Sequence, residues 1–217
     1  MIDGYLHQVV TDDPGDESPA ATRERLRAGF PAGATRRMTT LGLLVGSALE
    51  KLEPGERDAI VYATGYAESR ALEGFIDSFP APSPTLFQTS IHPSAVQQVM
   101  IGRQRPVREF MPLSGGSLLS FHALRACLLA PSARVLLCGG EERGTWLLEH
   151  GLASDRSFAF AASLSRERQP GSIAELRISR REGKGALALA AFFDHLRGRT
   201  AVDAMIAPGW HLHLEWK

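Results

Sequence analysis

A chain of 217 residues that is 44% hydrophobic can bury one good core. Its 24 basic and 24 acidic residues cancel, so no global charge draws it to nucleic acid, and a DNA or RNA role is set aside. Two cysteines, Cys127 and Cys138, lie inside apolar runs and read as reduced, buried thiols of a cytoplasmic protein. The N-terminus MIDGYLHQVV is short and acidic for a leader, and no apolar run is long enough to span a bilayer.

In chain order, Tyr5 to Val10 is expected as a first strand and Thr11 to Ala21, TDDPGDESPAA, as an acidic, exposed and mobile loop. Met38, Leu41, Leu44, Val45, Ala48, Leu49 and Leu52 recur at helical spacing, which predicts a helix from about Thr35 to Leu52, stopped by Pro54-Gly55. Asp58 to Thr64 reads as a strand, Glu68 to Phe79 as a helix and Pro80 to Pro84 as a proline-rich break. His92-Pro93 opens a further helix through Met100, with proline in its first turn.

Val107 to Leu113 is a short extended run that ends at Ser114. Gly115 and Gly116 are expected to supply the φ freedom of a tight strand-to-helix reversal. The helix from Ser117 to Ala130 is apolar nearly all round, which places it between layers. Arg134 to Cys138 then reads as a strand covered on both faces, closed by Gly139-Gly140 as a second close turn. Ser157 to Ser165 and Ser172 to Ser179 are expected to pair across the Arg166 to Gly171 turn. Gly185 to Leu196 reads as a helix, and Trp210 to Trp216 alternates apolar and polar residues as a half-buried edge strand. Strands alternating with helices give an α/β class in one domain, 1–217, whose last part (166–217) is a hairpin, a helix and an edge strand.

The order strand, Ser114 turn, buried helix and strand ending Gly139-Gly140-Glu141-Glu142 resembles the nucleophile region of the thiolase-fold β-ketoacyl synthases, where a strand ends in cysteine and a later one in Gly-Gly-x-Glu. Laid on that pattern without gaps, Gly139, Gly140 and Glu142 match its end and the cysteine position falls on Ser114. ATRRMTTLGLL (Ala34 to Leu44), DAIVYATGYAES (Asp58 to Ser69) and SPTLFQTSIHPSAVQQ (Ser83 to Gln98) resemble further segments of the group, most of all its short ketosynthase-like N-terminal proteins from fatty-acid-type and aryl-polyene-type gene sets. The resemblance covers roughly Ile2 to Ser165. It implies a thiolase-like half-fold, a mixed sheet packed with helices, with the helix after the Ser114 turn in its interior. A half-fold implies an uncovered apolar face and association, as a homodimer or with a full ketosynthase.

Condensation by such enzymes needs a thiol to hold the acyl chain and donors, two histidines in this group, for the developing anion. Ser114 replaces the thiol, and the histidines belong to a second half that this chain lacks. A serine nucleophile needs a base and an oxyanion hole; LSGGS is not the Gly-x-Ser-x-Gly elbow, so the plain reading of Ser114 is a small residue ending a strand. His92 is the better pocket candidate, alongside Gly115, Gly116, Ser117, Gly139 and Gly140; capping or a subunit contact explains His92 equally well. His122 reads as a packed or interface residue, and His150 and His195 carry no motif. His211 and His213 share one face of the last strand without a third metal ligand, so no metal is expected. The glycine pairs match no phosphate-loop pattern, and no cofactor is expected.

Three functions remain open on the sequence. One is a ketosynthase-like accessory protein of fatty acid, polyketide or aryl-polyene synthesis, a pseudoenzyme that pairs with an active ketosynthase or with itself. The second is an acyltransferase or thioesterase using Ser114. The third is a module that binds acyl carrier protein or an acyl chain, for which the basic run Arg166 to Lys184 is the one hint.

Overall fold

The computed structural model describes residues 1–31, 33–104 and 106–217. The chain runs β1 (Ile2–Asp12), α1 (Pro19–Arg27), a 3₁₀ turn (Ala34–Arg37), α2 (Thr40–Glu50), β2 (Ala59–Thr64), α3 (Ser69–Ile76), α4 (Pro84–Thr89) and α5 (Ser94–Arg103). It continues with β3 (Glu109–Ser114), α6 (Leu119–Leu129), β4 (Val135–Glu141), α7 (Trp146–Glu149), β5 (Phe158–Ser165), β6 (Ala174–Arg180), α8 (Leu189–Gly198), β7 (Val202–Ala207) and β8 (Trp210–Trp216). The strands form one eight-stranded mixed sheet in the order β3-β2-β4-β5-β1-β6-β8-β7. β3, β2 and β4 are parallel, and every other neighbour is antiparallel.

Two cores flank the sheet. On one face α2 and α5 pack over Ile60, Tyr62, Leu136, Cys138, Ala159 and Ala161; on the other α6 and α8 pack over Val61, Ala63, Leu137, Phe158, Phe160 and Leu214. Residues of β2, β4 and β5 feed both cores alternately, as period-2 strands covered on both faces must. Both cysteines are buried, as their apolar runs predict, and burial pushes each thiol well above its ordinary range.

Several expectations change. β5 and β6 do not pair with each other, because β1 lies between them: Leu6 has Leu164 as register partner on one side and Ala174 on the other. β8 is an inner strand between β6 and β7, and the edge is β7, whose VDAMIA pattern lacks clean alternation. The helix expected from Thr35 starts at Thr40, where the Thr39 hydroxyl accepts the Gly42 N–H at 3.0 Å. The loop expected over 11–21 is shorter at both ends, since β1 continues to Asp12 and α1 begins at Pro19 with Ser18 as its cap. α4 begins in the same way, with Ser83 as cap and Pro84 in the first turn.

Gly139 and Gly140 lie within β4 rather than in a turn. A Cβ on Gly139 would stand 2.5 Å from the Ala63 carbonyl oxygen and 2.9 Å from the Phe160 ring, and one on Gly140 would stand 2.4 Å from the Phe158 carbonyl oxygen. They are glycine because strand and ring backs press against them.

α6 is buried on the sheet side only. Leu118, His122, Arg125 and Leu129, spaced four, three and four apart, form an exposed outer stripe. The apolar residues left in solvent concentrate elsewhere, on and beside α3 and α4: Leu72, Ile76, Phe79, Leu86, Phe87 and Ile91. The free face of the β1, β6 and β8 strands is polar, carrying Asp3, Glu175, Arg177, His213 and Glu215.

Candidate functional site

The parallel strands β3, β2 and β4 all end at the same edge of the sheet, the edge where open α/β sheets gather their functional groups. Ser114 ends β3 and stands in register with Thr64, the last residue of β2; Glu141 ends β4 on the other side of β2. Ser114, Gly115, Gly116, Ser117, Leu118 and His122 line an open depression of about 580 Å³. Residues 114–118 are all exposed.

The turn does not require its glycines. Neither Gly115 nor Gly116 has a positive φ, and a Cβ on either would meet no atom within 4 Å. The reversal expected to need left-handed backbone is made with ordinary φ values. Among the described residues, Ser114 Oγ and His122 make no side-chain hydrogen bond, so hydroxyl and imidazole share a depression without forming a nucleophile and base pair.

His92 lies elsewhere. Its Nδ1 is 3.2 Å from Glu68 Oε2, and its ring stacks on Tyr62 with centroids 5.3 Å apart. The Glu68 carboxylate also accepts the Ala95 N–H at 3.1 Å and so ties His92 to the first turn of α5. Pro93 is the residue before α5 rather than its first position. His92 is therefore a brace for the start of α5, as a capping role predicts.

Glutamates that sequence periodicity could not reveal form a floor around the ends of β2 and β4, and Glu141 among them stands behind the Ser114 turn. Glu141 accepts hydrogen bonds from Thr64 Oγ1 (3.1 Å), Gly65 N–H (2.5 Å) and Tyr66 N–H (3.3 Å), and Gly65 in turn lies against the Gly115 carbonyl oxygen. Burial pushes the Glu141 carboxyl up to about 7 despite these donors, with Glu68 adding to the rise. Glu142 takes the Leu41 N–H at 3.0 Å at the start of α2, and burial raises it as well. Glu73, with a side chain at 0% exposure, accepts from Thr145 N–H and Leu147 N–H at 2.8 Å and from Arg70 at 3.2 Å. Burial pushes Glu73 up, but the hydrogen bonds from Leu147 and Thr145, with Arg70, outweigh it and hold the carboxyl below its usual value.

A second cleft, of about 350 Å³, is lined by Arg23, Arg36, Arg37 and Arg70, with Leu86 on its rim and half-buried Glu142 in its wall. It is a second basic surface beside the Arg166 to Lys184 stretch singled out in the sequence. There Arg168 and Arg177 are paired with Glu175 (3.5 Å) and Asp3 (2.7 Å). His211 is buried rather than exposed beside His213; its Nε2 meets Asp203 at 3.2 Å and Arg181 at 3.1 Å. Among the described residues no group of three side chains is placed to hold a metal ion, and no helix is long and apolar enough to cross a membrane.

No family model matches the sequence, and no curated protein does. Solved structures do. A chain of the ketosynthase (ApeO) in complex with its chain length factor (ApeC) from Xenorhabdus doucetiae aligns over 99% of this chain and 100% of its own, with TM-score 0.71 and 17% identity. The ishigamide ketosynthase/chain length factor aligns over 82% of this chain and 64% of its own, with TM-score 0.55 and 12% identity. A β-ketoacyl synthase from Burkholderia phymatum STM815 aligns over 86% and 67%, with TM-score 0.55 and 12% identity. This chain thus spans the whole of the first and about two thirds of the other two. Its fold is the thiolase-like fold of the ketosynthases.

Proposed function

We propose that this chain, a ketosynthase-like thiolase fold with Ser114 where a condensing enzyme carries cysteine, is an accessory subunit that pairs with an active ketosynthase of fatty acid, polyketide or aryl-polyene synthesis and performs no condensation itself. One observation carries this reading: no thiol reaches the site. The chain's only cysteines are both buried, one in α6 and one in β4, and burial holds both as neutral thiols, so neither can accept an acyl group as a thioester. The full-length alignment with a chain from a ketosynthase and chain length factor complex supports the same role. The exposed apolar residues of α3 and α4, in which Phe75 packs on Phe79 and Phe87 at 5.5 and 5.2 Å, supply surface that association would cover.

The test is co-expression with candidate ketosynthases from the same genome, purification of any complex and measurement of product chain length. A stable complex whose product length changes when this chain is omitted is the expected result. A ketosynthase that makes the same product with and without it would sink the reading.

Two narrower readings each have one observation behind them. The arginine-lined cleft offers an acidic acyl carrier protein a concave basic surface in addition to the Arg166 to Lys184 stretch, and such binding weakens with salt. Acyl transfer or thioester hydrolysis at Ser114 has in its favour that His122 lines the same depression. Acyl-thioester turnover that survives Ser114→Ala removes that possibility.

A further inference from the structure

We propose that His7 is a pH-operated clasp on the loop 166–172: its neutral ring ties both feet of the loop across β1, and on taking up a proton it releases the loop together with Arg166 and Arg168.

The topology creates the need for a tie. β5 and β6 flank β1 without pairing with each other, so the chain between them crosses over β1 with no ladder of its own. Residues 166–171 are all exposed. The feet of the loop are two serines, Ser165 and Ser172, which are 5% and 7% exposed. His7 stands between them. It is the extra residue of a β-bulge, since Leu6 lies opposite Leu164 and Gln8 opposite Ser163, and a bulge re-aims the side chain it adds.

Both ring nitrogens are engaged. Nε2 is 2.7 Å from Ser165 Oγ, and Nδ1 is 3.4 Å from Ser172 Oγ. Each hydroxyl also reaches into the loop: Ser165 Oγ is 2.6 Å from the Glu167 carbonyl oxygen, and Ser172 Oγ is 2.7 Å from that of Gln169, whose N–H it accepts at 3.3 Å. A neutral imidazole has one donor and one acceptor, and a hydroxyl meets either, so the uncharged ring holds both feet. The other side-chain tie, Arg168 to Glu175 at 3.5 Å, is exposed and weak.

A charged ring finds no counter-ion. Among the described residues no carboxylate pairs with His7, whereas Arg134 and Lys217 both face it as cations, and the loop itself carries Arg166 and Arg168 against Glu167 alone. Burial first, and then Arg134 and Lys217, hold His7 below its ordinary value of 6.5. The clasped state therefore binds fewer protons than the released one. The clasp keeps its full strength above 6.5 and weakens as pH falls below it.

Hydrogen exchange of the Gln169 and Ser172 amides, followed by NMR from about pH 7.5 to 5 and corrected for the intrinsic pH dependence of exchange, tests this in wild type and His7→Gln. Glutamine keeps a donor and an acceptor but cannot take up the proton. The expected result is a wild-type protection that falls at least about threefold toward acid, with a midpoint that follows the titration of the His7 ring, and no such fall in His7→Gln. Wild-type protection that stays constant or rises toward acid would overturn the proposal, as would an equal fall in the variant. Should His7→Gln not fold, wild type decides by itself: a ring that titrates at or above 6.5, or at a midpoint apart from that of the loop, removes the clasp.

Discussion

The Ser114 turn and the floor behind it end the same three parallel strands, yet they are held in opposite ways. On the floor, Glu68, Glu73, Glu141 and Glu142 each accept backbone N–H groups from a loop or helix start; the first three are buried and Glu142 is half-buried. Every one of those donors would otherwise be an unsatisfied group in the interior. The turn from Ser114 to Leu118 is exposed and makes no comparable bonds. The floor is tied down by distant backbone while the turn stands open to solvent, and the contrast can be tested from either side.

The largest effect is expected at Glu73. Glu73→Ala leaves the Thr145 and Leu147 N–H groups and Arg70 without their acceptor, a loss of about 3 to 4 kcal/mol in urea unfolding. A loss below about 1 kcal/mol would mean that water replaces the carboxylate and that the floor is looser than its burial indicates.

Gly140→Ala comes next. The added Cβ meets the Phe158 carbonyl oxygen at 2.4 Å, and strand separation costs about 2 to 3 kcal/mol, read as a lower midpoint on thermal unfolding.

Glu141 gives a dependence on pH. Its folded carboxyl titrates at about 7 against an ordinary 4.5, so between these values the folded chain holds a proton that the unfolded chain has lost. Stability therefore falls as pH rises through that window, by a total of about 3 kcal/mol, and levels off above it. Glu73 runs the other way: its lowered carboxyl gives stability above the ordinary value that is lost as pH falls through the folded one. Denaturation of wild type and Glu141→Gln from pH 5 to 8 checks the sign, since the amide cannot ionise and its slope should be flatter. Equal slopes would assign the dependence to other groups.

The smallest effects belong to the turn. Ser114→Ala and Gly116→Leu are expected to change the stability of the isolated chain by no more than about 0.5 kcal/mol, because neither residue makes an internal contact that the change removes or crowds. A larger loss at Gly116 would show that the turn is part of the fold's support after all and would weaken the contrast with the floor.

Much of the frame was legible in the residues. β2, β4 and β5 appear as continuous apolar runs because both their faces are covered, and the two buried thiols follow from the same pattern. α1 and α4 carried a readable signal, serine followed by proline, which the acidic and proline-rich composition around them masked. The glutamates of the floor left no such trace. A buried carboxylate and a solvated one look alike in sequence, and only the arrival of N–H groups from chain distant by up to 101 residues tells them apart.

By itself, the sequence determined that this is an α/β chain, that its thiols are inaccessible, and that a serine ends the strand before the glycine turn. These depend on local period and composition, which neighbouring residues settle among themselves. Tertiary structure alone decided that β1 separates β5 from β6, that Gly139 and Gly140 serve packing while Gly115 and Gly116 face open space, and that His92 braces a helix. Each of these turns on which distant backbone comes to lie alongside, and two glycine pairs of identical sequence acquire opposite meanings only when the rest of the chain has closed around one of them.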